Sequence, residues 1–345
     1  MLRRARWSID AAVYEVGPSY AWILSEAARA GVRVRVLLDD HLSDGNVSTS
    51  RDVERAGGEC RVLGRGAAAA HWKLLVVDRT HVATGTGNLI WRDAPRDRLR
   101  RVPPRAAALR GTREWWAVGA ETGRLALDAE SAFDVAWQRA RPPGCRWRAR
   151  ADVTHGAVGI PTPQVAPLRL TAGRARLQMV FGGLPVALAI GRYIERARQR
   201  ALVTVPYVHP RATAVRRLVG ALRCAASRGV DSRVLLGACP RPSDVAWLRA
   251  AGVAIRWMDA ATSTRGHAKG LIADDVVIIS SANWSSAGCG RNWEAALIVR
   301  IAAAAAYYAA AWERDWAAAE PLTARVWGVP GADMLRPWTP SKTPP

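Results

Sequence analysis

HWKLLVVD (71–78) and HAKGLIAD (267–274) decide how this chain is read, because one pattern stands twice, 196 residues apart. In each, His, Lys and Asp fall at the same places: His71, Lys73, Asp78 and His267, Lys269, Asp274. The apolar run between them suits a strand, and strand alternation puts His and Lys on one face. Outward from these segments the similarity continues. EAARAGVRVRVLL (26–38) returns as CAASRGVDSRVLL (224–236), and ERAGGECRV (54–62) returns more loosely as LRAAGVAIRW (248–257). Downstream, EWWAVGAETGRLALDAESAFDVAW (114–137) matches EAALIVRIAAAAAYYAAAWERDW (294–316). Helix-like runs close on Gly and lead into alternating strands, so the chain reads as a tandem duplication of an α/β lobe.

The expected fold class is α/β: two duplicated lobes, each a mixed β-sheet flanked by helices. Lobe one is placed at 1–140 and lobe two at 176–327. A Pro/Gly/Arg-rich linker (141–175) separates them, and an irregular tail follows (328–345). The starts of the copies differ. The second has LQMVFGGLPVALAIGRYIERARQ (177–199) before its first strand, where the first has only MLRRAR (1–6). Either lobe one lacks an edge strand and a helix, or the chain begins late and a signal or anchor precedes it.

Each motif leads to a small turn containing Asn, GTGN (85–88) and SSAN (280–283), and then to a glutamate, Glu114 or Glu294. These residue types suit phosphodiester chemistry. The anionic ester repels nucleophiles, so Lys73, Lys269, Asn88 and Asn283 supply charge and donors to its oxygens without a metal. One histidine can attack while the other protonates the departing alkoxide. A carboxylate on the far ring nitrogen fixes each imidazole tautomer, a part that fits Glu114 and Glu294.

With these residues in place, the pattern resembles the phospholipase D superfamily, marked by two H-x-K-x4-D motifs, each with a G-S-x-N-like turn behind it. The resemblance covers about residues 5–320. It implies a pseudo-twofold bilobal fold, an active site between the lobes and a covalent phosphohistidine. It makes His71 the nucleophile and His267 the acid/base, and gives Asp78 and Asp274 a structural part. The turns depart from the pattern: Thr86 stands for Ser, Ser280 for Gly, and the second turn follows Asp274 one residue sooner.

The charge is +21 and rests almost wholly on arginine, since Lys73, Lys269 and Lys342 are the only lysines. Such a chain attracts polyanions. The expected partner is anionic phospholipid or a membrane surface, with phospholipase D or cardiolipin synthase-like activity. Nucleic acid is the alternative substrate, and a non-catalytic polyanion-binding module is a third reading. From Arg92 to Arg113 the chain holds eight arginines, among them Arg98, Arg100 and Arg101, proposed as a clamp on a polyanionic substrate. Thr86, Ser281, Trp72 and Trp284 are further substrate-contact candidates. Trp137 and Trp316 read as core, and His41, His81, His155 and His209 as structural.

The five cysteines have no zinc-ligand spacing, and no cluster of His or carboxylates is visible, so neither metal nor cofactor is expected. No apolar run is long enough to span a membrane and no signal peptide is evident, which suggests a cytoplasmic or peripheral membrane protein. A monomer with a pseudo-dimeric fold is expected.

Overall fold

The computed structural model describes residues 1–41, 43–64, 68–90, 93, 112–120, 122–144, 176–250, 252–258 and 265–322. In the first half, β1 (Ser8–Val13), β2 (Arg33–Asp39) and β3 (Glu59–Leu63) run parallel, linked by helices Pro18–Arg29 and Asp44–Arg55. The chain then turns back through β4 (Lys73–Val77) and β5 (His81–Gly85). After a two-residue strand β6 (Thr112–Arg113) it adds β7 (Trp116–Gly119), giving the order β3-β2-β1-β4-β5-β7. Helix Gly123–Arg139 follows.

The second half begins with β8 (Leu177–Phe181) and helix Gly183–Arg196. It repeats the plan with β9 (Arg200–Val205), β10 (Asp231–Leu236), β11 (Ala254–Trp257), a short β12 (Arg265–Gly266), β13 (Gly270–Ala273), β14 (Val276–Ser280) and β15 (Ala295–Val299). Helix Ala302–Ala318 and a short β16 (Glu320–Pro321) close it, and the sheet order is β16-β11-β10-β9-β13-β14-β15-β8. The sheets are thus the same mixed sheet, and the expected duplication is present in space. The unequal starts are visible too: β8 extends the second sheet antiparallel to β15, while the described first lobe opens on one short turn, Leu2–Arg4.

Local chemistry accounts for the elements. β1 is buried along its whole length, as a central strand covered on both faces must be. Pro18 occupies the first turn of its helix, where its missing N–H costs nothing, and Ser43 caps the next helix by accepting from the Asn46 N–H. The helices before β2 and β10 stop at Gly31 and Gly229, whose φ values of 85° and 82° favour glycine. The shorter second motif is absorbed in a hairpin. Three residues join Val77 to His81, two join Ala273 to Val276, and the flanking pairs keep register.

An Arg–Trp clamp also repeats. Arg35 on β2 and Arg61 on β3 lie over Trp137, at 5.5 and 4.7 Å from ring centroids, and Arg61 Nη1 donates to the Trp137 carbonyl at 3.0 Å. Arg233 on β10 and Arg256 on β11 lie over Trp316 at 5.3 and 5.1 Å, and Arg256 Nη1 donates to its carbonyl at 2.8 Å. Each clamp ties the end of a lobe's last long helix to its parallel strands. Part of the arginine excess therefore works inside the fold.

Two core clusters lie within single lobes, and two cross between them. Phe133 and Trp137 pack with Leu37, Leu74 and Val76 and also against Ala295 and Phe181. Trp312 and Ala305 pack with Leu202 and Ile272 and also with Trp115 and Leu125. Among the described residues no helix is long and apolar enough to cross a membrane.

Candidate active site

The site forms where the lobes exchange backbone bonds. The residue before each motif histidine pairs with the residue before the other lobe's glutamate: Ala70 bridges Trp293, and Gly266 pairs with Arg113. The His71 N–H donates to the Trp293 carbonyl at 2.9 Å, and the His267 N–H to the Arg113 carbonyl at 3.0 Å. The next residues then face each other across the interface. His71 Nδ1 meets Glu294 Oε2 at 3.0 Å, and His267 Nδ1 meets Glu114 Oε1 in a short contact. Each imidazole is held by the opposite lobe. A carboxylate on Nδ1 leaves Nε2 as the reactive nitrogen.

Both carboxylates are buried and well supplied with donors. Thr86 Oγ1 donates to Glu114 Oε2, and Ser281 Oγ donates to Glu294 Oε2 at 2.5 Å. Thr112 Oγ1 lies 3.0 Å from Glu114 Oε1, and Asn292 Nδ2 donates to Glu294 Oε1 at 3.1 Å. Thr112 and Asn292 each sit two residues before their glutamate, on the same strand face. Neither Asn292 nor Thr112 belongs to the motifs that the sequence singled out.

The lysines lie at the centre. Lys73 is fully buried; its Nζ donates to the His71 carbonyl at 2.8 Å and lies 5.4 Å from the Tyr14 ring centroid. Lys269 is 1% exposed; its Nζ lies 3.0 Å from His267 Nε2 and donates to the Thr86 carbonyl at 3.3 Å and to the His267 carbonyl. Burial drops the Lys73 ammonium to about 7, and Lys269 pushes the same way against the pull of Glu294 and Glu114. Burial also lowers His71, with Lys73 and Lys269 adding to it and Glu294 opposing. Burial would raise Glu114, yet Lys269 and His267 hold it below the usual carboxylate range. The two lysines thus share one buried site with the carboxylates of Glu294, Glu114 and Asp93.

Asn88 and Asn283 follow β5 and β14 at matching places. The next residues, Leu89 and Trp284, bridge Val16 and Val208 in the loops after β1 and β9. The side-chain oxygen of each asparagine is buried without a hydrogen-bond partner, a state a ligand can relieve in either amide orientation.

Asp78 and Asp274 stand at the far ends of β4 and β13. Asp78 accepts from the N–H groups of Arg6, Trp7 and Ser8 at 2.9, 2.7 and 2.9 Å, and Asp274 from Arg198, Gln199 and Arg200 at 2.9, 2.8 and 3.1 Å. They anchor strands and do not reach the site. Four substrate-contact candidates also need correction. Thr86 and Ser281 are fully buried and spend their hydroxyls on the glutamates. Trp72 and Trp284 are each 2% exposed; Trp72 packs on Trp293 and Phe181, and Trp284 lies in the second lobe's core. Arg98, Arg100 and Arg101 lie outside the described residues, as does His155.

Tyr14 was not foreseen: its ring stacks on His41 at 4.3 Å and meets His71 edge-on at 5.1 Å. His41 in turn bonds Asp39 at 2.9 Å. The fold also assembles one group invisible in the sequence, Asp93, Glu114 and His267, whose potential ligand atoms lie within 4.8 Å of one another. Here His267 bonds Glu114, Thr112 lies between Glu114 and Asp93, and Asp93 accepts from the Asn88 N–H, as one hydrogen-bonded network.

Comparison with known proteins agrees with this geometry. A family profile described as the cardiolipin synthase, PLD-like domain matches residues 1–97 and 190–316. Among solved structures, phosphatidylserine synthase of Haemophilus influenzae Rd KW20 superposes with a TM-score of 0.59 at 13% identity, over 91% of this chain and 82% of that one. Polyphosphate kinase from Porphyromonas gingivalis gives 0.56 at 14% identity over 91% of this chain, which spans only 46% of the kinase. No curated protein matches the sequence. The two matched segments include both His-Lys pairs, and the chain belongs to the phospholipase D-like family of the cardiolipin synthase type.

Proposed function

We propose that the protein is a metal-independent phosphodiesterase that works through a covalent phosphohistidine, with phospholipid as its substrate. The observation that carries this reading is the crossed pairing of His71 with Glu294 and of His267 with Glu114, around two buried lysines. A phosphate diester brings its charge to the Lys73 and Lys269 ammonium groups, and the amides of Asn88 and Asn283 hold its non-bridging oxygens. The Nε2 lone pair of His71 attacks phosphorus and forms an N–P bond. The P–O bond to the leaving group breaks, and that oxygen takes a proton from His267 Nε2. Water then gives its proton to His267 and its oxygen to phosphorus; the N–P bond breaks and its electron pair returns to His71. An alcohol in place of water would give transfer instead of hydrolysis.

Phospholipid is favoured by the cardiolipin synthase description of the matching family. The charge of +21 keeps a second reading in play, cleavage of nucleic acid by the same two steps. Headgroup release from phosphatidylglycerol vesicles and cleavage of a labelled single-stranded oligonucleotide, both in EDTA, separate them. The intact protein should release headgroup, and His71→Ala and His267→Ala should each lose at least about a hundredfold. Oligonucleotide cleavage lost in the same variants would transfer the assignment to nuclease. Activity on neither would remove the reading.

A further inference from the structure

Among the described residues, helix Gly183–Arg196 belongs to the second lobe alone. It buries one face through Val186, Ile190 and Ile194. Another stripe begins with Leu184 and Leu188, one turn apart, and these remain 45% and 51% exposed. Between that stripe and helix Thr213–Ser227 runs a groove of about 440 Å³, walled by Ala187, Gly191, Ala214 and Ala221. A Cβ added at Gly220, also on the groove, would meet nothing within 4 Å. Past Leu184 and Arg217 the groove continues as a hollow of about 290 Å³ against Ser286, Cys289 and Gly290. Those three stand between Asn283 and Glu294 in the chain. The start of the helix is tied to the same stretch: the Gly182 N–H donates to the Glu294 carbonyl at 2.7 Å, and the Gly183 N–H to the Asn292 carbonyl at 3.1 Å.

The chemistry of the groove selects its occupant. The lining is mostly Leu, Ala and Gly and holds no aromatic ring, so it suits alkyl chains and gives a nucleobase nothing to stack on. Its rim is basic. Arg192 and Arg217 line it, and the two helices carry five arginines against one acid, Glu195. Two copies of the chain brought face to face there would repel each other. Exposed apolar side chains alone do not make such a face. Helix Gly123–Arg139 shows Leu127 and Val135 at 43% and 48%, yet it carries Asp128, Glu130 and Asp134 against two arginines. An anionic surface disfavours that helix and favours the other pair.

We propose that the face formed by helices Gly183–Arg196 and Thr213–Ser227 docks the protein on an anionic phospholipid bilayer, with Leu184 and Leu188 in the acyl layer and Arg192 and Arg217 at the lipid phosphates. The inference deepens the phospholipid reading above and rests on it. A surface helix with leucines on one stripe and arginines beside it lies in the plane of the interface, its apolar side about 5–10 Å deep. The arginine stems lie along apolar surface while their heads stay level with the phosphates. In that pose the groove opens into the lipid, and a phospholipid leaving the layer has an apolar path to the segment between Asn283 and Glu294.

The test pairs two double variants that change the charge equally at exposed positions. Leu184→Glu with Leu188→Glu puts two acids on the docking face, and Leu127→Glu with Val135→Glu puts two on helix Gly123–Arg139. Sedimentation with mixed phosphatidylglycerol and phosphatidylcholine vesicles at fixed salt reads the binding. The Leu184/Leu188 variant should bind about tenfold more weakly, and the Leu127/Val135 variant like the intact protein. Arg192→Gln with Arg217→Gln should reduce the preference for phosphatidylglycerol over pure phosphatidylcholine vesicles. A second readout is the ratio of phosphatidylglycerol turnover in vesicles to turnover of a soluble nitrophenyl phosphodiester. It should fall about tenfold in the Leu184/Leu188 variant and hold in the control. Equal binding by the two double variants would overturn the proposal, as would an intact protein that ignores anionic vesicles. A change of sedimentation mass in place of vesicle binding would also overturn it and mark a contact between copies. If the intact protein binds vesicles but turns over no phospholipid, the phospholipid reading fails, while the binding difference still decides the docking face.

Discussion

Lys73 shows what burying a cation costs. Its ammonium is buried to exhaustion and lies near a second one, which brings it down to about 7 from an unfolded value near 10.5. Between those values the unfolded chain binds the proton more tightly, so stability rises with pH across that window. Below about 7 the full penalty of the buried charge is present. The substrate-free protein should therefore have a higher thermal midpoint at pH 9 than at pH 7, measured by scanning fluorimetry. Lys73→Met should flatten that rise. Affinity for inorganic phosphate should move the opposite way over the same range, because the neutral amine no longer attracts it. That Lys73, His71, Glu114 and Asn88 gather at one place was legible in the motifs, because their residue types suit one chemistry. The crossing of the pairs was not. Two similar halves leave open which glutamate serves which histidine, and only the exchanged bonds at Ala70–Trp293 and Gly266–Arg113 answer it.

At the scale of the element, the motif strand is gripped at both ends. One end holds His and Lys at the site, and the other is fixed by Asp78 or Asp274 through three backbone N–H groups. Burial alone would raise both carboxyls, yet these donors hold them below the usual carboxylate range. Their stabilisation is thus present above the unfolded carboxyl value and is lost as pH falls through the folded one. Asp274→Ala should cost about 2 kcal/mol near neutral pH, and the gap to the intact protein should narrow in acid, as read by urea unfolding. Trp72 was misread at this same scale. Proximity in sequence suggested substrate contact, but it lies between His71 and Lys73, and alternation turns it to the opposite face of the sheet. Asp93 was hidden for a different reason: it sits in an arginine-rich stretch, and only folding brings it behind Glu114.

Across the whole molecule, a charge of +21 dominates any encounter with an anionic surface. Binding to anionic vesicles should weaken steeply between about 50 and 200 mM salt, through release of counterions, while EDTA leaves turnover unchanged. Sedimentation with vesicles across a salt series checks the first expectation, and turnover with and without chelator the second.

The crossed pairs also bear on how the protein is made. A ribosome delivers His71, Lys73 and Glu114 long before His267 and Glu294, so the nascent first lobe carries a histidine without its carboxylate and a carboxylate without its histidine. On the proposed mechanism, half-synthesised chains and single lobes should be inactive, because each would hold a histidine without its carboxylate. Docking of the second lobe is the step that completes both histidine–glutamate pairs together.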